Sequence, residues 1–142
     1  MVSFIGDNFV AVKIHIKEQP QTFKRFGAQW TPTILIMAPD GEEAHRIEGF
    51  LPVEDFLAQL ELGLGKALMR EEKFREAESH LRAVAAQHAE SESAPQALYW
   101  AGVAAYKGTG SKDPGKLKET YQNLLKLFPS SEWTRKGVVW AG

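Results

Sequence analysis

The chain has 142 residues, no cysteine, and 17 basic against 18 acidic side chains, for a formal charge of -1. Without cysteine these residues can carry no disulfide or thiol chemistry. The basic side chains alternate with acidic ones and form no stripe, so neither nucleic acid nor a membrane surface is expected as a partner. The longest apolar run, Thr33 to Met37, falls far below the about 20 residues that span a bilayer. Met1 to Ile5 lacks the basic flank and long apolar core of a secretory signal, which leaves a cytoplasmic location as the default expectation.

Met1 to Asn8 reads as the end of a helix. Phe9 to Ile16 alternates, with Val10, Val12, Ile14 and Ile16 on one side and Ala11, Lys13 and His15 on the other, which predicts a strand with one buried face. Gln19-Pro20 opens a short helix that places Phe23 and Phe26 on one face, and Gly27 suits its C-terminal cap. Thr33 to Met37 predicts a buried strand, Pro39-Asp40-Gly41 a tight turn, and Glu42 to Glu48 the antiparallel partner of a hairpin. After Gly49, the segment from Pro52 to Leu64 carries Val53, Phe56, Leu57, Leu60 and Leu64 at helical spacing. Near residue 61 the composition shifts to Ala, Leu, Glu, Lys and Arg, which sets two expected domains, 1–62 and 63–142.

Strand, helix, Trp30-Thr31-Pro32-Thr33, hairpin, glycine and helix in this order resemble the C-terminal two thirds of the thioredoxin-like fold. The resemblance covers roughly residues 1 to 62 and implies a cis-proline at Pro32 that leaves Thr31 with a free N–H and C=O for an extended peptide. The plainer alternative is that Pro32 only begins a strand. The family's first strand and its Cys-x-x-Cys helix are absent, and that strand normally lies between the segment Phe9–Ile16 and the hairpin. A gap in a sheet leaves backbone groups unpaired at about 1 to 3 kcal/mol each if buried. Three solutions are open: an upstream segment not included here, strand exchange in a homodimer, or movement of the Phe9 strand across to the hairpin.

The second half resembles tetratricopeptide repeats, on Gly65, Phe74, Ala77 and Leu81 in a first unit with its turn at Arg70 to Phe74. Leu98, Ala101, Gly102 and Ala105, then Leu117, Tyr121 and Leu124, make a second unit with a long loop from Gly108 to Gly115. Ser130 to Gly137 resembles the Ser-capped start of a third unit, packed by Val138 and Trp140. The expected fold class is therefore α/β plus all-α: a partial thioredoxin-like domain followed by a tetratricopeptide-like array of helical hairpins. The helix from Pro52 is expected to run without a break into the first repeat.

The resemblance places peptide-binding residues at Trp30, Thr31 and Pro32 in the first half, and at Lys66, Met69 and Tyr99, beside Leu62 and Val103, on the concave side of the second. Simple helix packing is the alternative for Met69 and Tyr99, as it is for Trp100, Tyr106, Trp133 and Trp140. No catalytic residue, metal ligand or cofactor is assigned. His80 and His88 stand two helical turns apart, about 12 Å, too far to share one ion. His15 and His45 read as solvated or structural, and Glu42, Glu43 and Glu48 as charge on an edge strand. Two functions stay open: a non-catalytic protein- or peptide-binding module, or the larger part of a thiol-disulfide oxidoreductase whose Cys-x-x-Cys lies upstream of Met1.

Overall fold

A computed structural model describes all of residues 1–142. Helix α1 spans Val2–Asn8, α2 Pro20–Arg25, α3 Val53–Arg70, α4 Phe74–Gln87, α5 Ser93–Gly108, α6 Gly115–Leu127 and α7 Glu132–Lys136, with strands β1 Thr33–Met37 and β2 Glu43–Glu48 between α2 and α3. The strands pair antiparallel as one two-stranded sheet, Ile34 opposite Ile47 and Ile36 opposite His45, with an irregularity between Ile36 and Met37. The turn between them closes as its residues dictate. Asp40 Oδ1 accepts the Glu42 N–H at 3.0 Å, and Gly41 takes a φ of 83° that a side chain would resist.

The chain's architecture centres on α3, whose sequence carries two apolar stripes offset by two residues, or about 200° around the helix. Leu60, Gly63 and Ala67 form the first stripe and face the hairpin, where Leu60 and Ala67 join Ile36, Ala44 and Ile47 in one core. Leu62, Gly65 and Met69 form the second and face the helices, where Leu62 packs with Leu81, Val84, Ala97 and Ala101. Each stripe has a glycine at its middle because a side chain from the facing element comes down onto it. A methyl on Gly63 would meet Ile36 and His45, and one on Gly65 would meet Leu81. One unbroken helix thus serves both cores and crosses the point where composition changes.

From α3 onward each helix packs on the next, α3 with α4, α4 with α5 and α5 with α6. Alanines at 94, 97, 101, 104 and 105 of α5 are buried and keep its neighbours close. Gly102 lets α6 approach until Thr120 covers it. Ser131 caps α7 by accepting the Trp133 N–H at 3.1 Å, as its sequence predicts. The helix then gives way to a 3-10 turn at Gly137–Trp140, so Trp140 stacks inward on Tyr99 at 4.5 Å while Val138 stays 55% exposed and does not pack as expected.

The strand predicted at Phe9 to Ile16 does not form. The segment lacks any ladder partner, and its alternating apolar side, expected to be buried, faces solvent, with Val10 94% and Val12 78% exposed. Nor does it cross over to pair with the hairpin. Only Phe9 packs, against the hairpin core with Phe4 and Ile5 of α1. The physical reason is that a strand is held by its neighbours, and here the nearest edge stands across an open slot.

Candidate functional site

The slot lies between the segment Val12–Ile16 and β1, with α2 at one end. It encloses about 540 Å³ and is lined among others by Ile14, Phe23, Phe26, Pro32 and Leu35. Hydrogen bonding fixes what β1 presents to it. The Pro32 C=O accepts the Gly49 N–H at 2.9 Å and the Ala38 N–H donates to the Glu42 C=O at 2.8 Å, so the even-numbered positions pair with β2. The N–H and C=O groups of Thr33 and Leu35 therefore point the other way, into the slot, without backbone partners. At the slot's mouth the Thr31–Pro32 peptide bond is cis, Thr31 makes no backbone hydrogen bond, and Trp30 is 65% exposed. Thr33 Oγ1 donates to the Trp30 C=O at 2.6 Å and ties the two residues together.

Arg46 of β2 braces the far wall. Its guanidinium binds both oxygens of Glu43 at 2.8 and 2.9 Å and donates to the Phe26 C=O at 2.6 Å, which ties the exit of α2 to the hairpin. The planar fork suits this double duty, and the hydrogen-bonded Glu43 carboxylate is held below its ordinary pKa by it. Glu43 and Glu48 on this strand are thus partners of one arginine rather than a catalytic carboxylate pair.

A second concavity, of about 420 Å³, opens on the opposite side of β2, between the hairpin, α3 and α5. Lys66, Met69, Phe74 and Trp100 line it, with Arg70 and Lys107 beside them. Of the residues expected on the concave side, the structure brings together Lys66 and Met69. Leu62 is fully buried in the helical core, and Tyr99 belongs to an aromatic cluster with Trp133 at 5.1 Å and Trp140 at 4.5 Å. Trp100, one position further on and about 100° around the helix, stands at the groove instead of Tyr99. Thr31 and Pro32 line the first slot, apart from this groove, whereas Trp30 next to them does not line it.

Behind Lys66 runs a polar chain that sequence reasoning missed. Ser93 Oγ accepts from the Gln59 amide at 3.0 Å, Gln59 Oε1 meets His45 Nε2 at 2.6 Å, and His45 Nδ1 meets Lys66 Nζ at 3.3 Å. His45 is buried on β2, and burial lowers its pKa below the ordinary 6.5. The unfolded chain therefore takes up a proton below about pH 6.5 that the folded chain refuses until the pH reaches the lower folded value. Stability is expected to fall as the pH drops from about 6.5 into that window, and urea titrations across pH 8 to 5 should show the slope in the wild type and a flatter one in His45→Gln. His80 and His88 both turn to Glu61, at its C=O (2.8 Å) and its carboxylate (3.0 Å), which gives each a structural partner. In sequence, the only trace of the network was a histidine on the core-facing side of a strand.

Residues 2–64 match the family model of a thioredoxin-like domain, which supports a thioredoxin-like domain in this region. No curated protein and no solved structure matches the chain. No helix is long and apolar enough to cross a membrane.

Proposed function

We propose that this chain is a protein-binding module that holds an extended segment of its partner as an added strand on the free edge of β1. The observation that carries the reading is the slot itself. The segment Val12–Ile16, which has no ladder partner, and the free edge of β1 flank a groove in which the Thr33 and Leu35 backbone groups point outward. Main-chain pairing would supply affinity there, and Phe23, Phe26 and Leu35 would select apolar side chains at alternate positions. The Phe9–Ile16 stretch of a second copy has this pattern, so strand exchange in a homodimer is one form the complex takes. We read α3 to α6 as tetratricopeptide-like hairpins that add a second protein-binding face. Gly65 beneath Leu81, Gly102 beneath Thr120 and Phe74 at the turn support that reading.

A synthetic peptide with the sequence of residues 9–16 tests the slot. At ten times its Kd it is expected to slow hydrogen exchange at the Thr33 and Leu35 amides about tenfold. The same peptide N-methylated at alternate residues should lose the effect, because it cannot complete the ladder. Unchanged exchange with both peptides would remove the proposal. A second reading uses the same slot: with a strand and a Cys-x-x-Cys supplied from upstream of Met1, the domain would serve a thiol-disulfide oxidoreductase, Thr31 and Pro32 lying beside the substrate. The thioredoxin-like match supports this reading. The intact mass of the protein from its source separates the two, since the second requires a mass above 15.8 kDa.

A further inference from the structure

We propose that Lys66 is a reactive amine, with His45 as its proton acceptor, and that the groove it enters takes a small aldehyde with an apolar body as an imine on Lys66 Nζ. Four observations on separate elements carry this. Ser93 on α5 orients the Gln59 amide so that its oxygen faces His45 Nε2, which must then carry the ring proton. His45 Nδ1 is left as a lone pair directed at Lys66 Nζ, 3.3 Å away. No carboxylate lies within ion-pairing distance of Lys66, since Glu43 is committed to Arg46, Asp40 to Arg70 and Glu71 to Lys73. The groove of about 420 Å³ beside it is walled by Met69, Phe74 and Trp100, with the Trp100 ring 5.8 Å from Nζ.

The environment favours the ammonium less than water does, although the Trp100 ring face 5.8 Å from Nζ offsets part of this. Burial pulls the Lys66 pKa below its ordinary value, and Glu43 opposes this only in part. The charged groups facing Nζ are Glu43 and, when protonated, His45 on β2, Arg70 on α3, Glu72 in the turn after it, and Lys107 on α5. In the reaction the amine lone pair attacks the carbonyl carbon and the C=O π bond breaks. His45 Nδ1 takes a proton from the attacking nitrogen and passes it to the alkoxide oxygen, which gives the carbinolamine, and then relays the nitrogen's second proton to that hydroxyl. That hydroxyl leaves as water while the C=N bond forms. One aldehyde is consumed and one water released, with no change of oxidation state. His45 acts here through Lys66, as a positioning and proton-accepting residue.

The test treats the full chain at pH 7 with benzaldehyde and cyanoborohydride, which fixes any imine as a stable secondary amine, and measures each lysine's rate by peptide mass mapping. Lys66 is expected to react about tenfold faster than the exposed, ion-paired Lys73, and its rate should reach a plateau at a lower pH. In His45→Asn the excess at Lys66 should disappear while the Lys73 rate stays the same. Equal or slower reaction at Lys66 in the wild type overturns the proposal without need of a variant. An excess that survives His45→Asn overturns the role of His45.

Discussion

Replacing Gly102 by alanine is expected to destabilise the folded chain by about 1 to 2 kcal/mol, although alanine is the better helix former. The added methyl would stand 2.6 Å from Thr120 Cβ and collide with both branches of that side chain. Thr120 is buried and branches at Cβ, and its Oγ1 donates to the Lys116 C=O at 2.7 Å, so it has no free rotamer to escape into. Overpacking of this kind costs about 1 to 3 kcal/mol. The gain in helix propensity returns about 1 kcal/mol at most. Relief is expected from Thr120→Ala, which removes both branches, so the double variant should be more stable than the two single losses sum to. Urea unfolding at constant m-value reads all four proteins. A neutral Gly102→Ala would mean that α5 and α6 are not in contact at this point.

Leu62→Ala should cost more, about 3 to 4 kcal/mol, because it removes buried side-chain atoms and leaves a cavity that its neighbours cannot fill. Leu62 is fully buried and touches the core formed by Leu81, Val84, Ala97 and Ala101, so the loss spreads over α3, α4 and α5. Against a total stability of about 5 to 15 kcal/mol this is enough to populate the unfolded state visibly on mild heating. Leu60→Ala, two residues away on the opposite face, should loosen the hairpin core instead. Hydrogen exchange by mass spectrometry distinguishes them: the first variant should raise exchange in α4 and α5, the second in β1 and β2. Equal effects of both on all elements would mean that α3 couples the two cores into one cooperative unit.

Local chemistry made much of this chain legible before its fold. The hairpin from Thr33 to Glu48 follows from an apolar run, a Pro-Asp-Gly turn and the alternation after it, all of which act over a few residues. The helical spacing after Pro52, the turn at Arg70 to Phe74 and the Ser131 cap follow in the same way. The strand expected at Phe9 to Ile16 does not form, for a reason that is equally physical. Alternation states only which side of a strand is able to bury itself, and whether the strand exists depends on a neighbour that local sequence does not describe.

The site shows the same division. That Lys66 and Met69 lie on one helix face was legible from their spacing, and so was the cluster Trp30, Thr31 and Pro32 at the start of β1. That Trp100 and not Tyr99 reaches the Lys66 groove depends on the rotation of α5, which the contacts of Gly102, Ala97 and Ala101 set. His45, Gln59, Lys66 and Ser93 come from β2, α3 and α5 and carry no common motif. By itself the sequence determined the hairpin, the helix after Pro52, the turn chemistry and the absence of thiols, because those are consequences of neighbouring residues. Only the tertiary structure decided that the Phe9–Ile16 segment forms no strand and leaves one edge of β1 open, and that a buried histidine meets a lysine at a groove. Those depend on which surfaces the packing of α3 brings within reach.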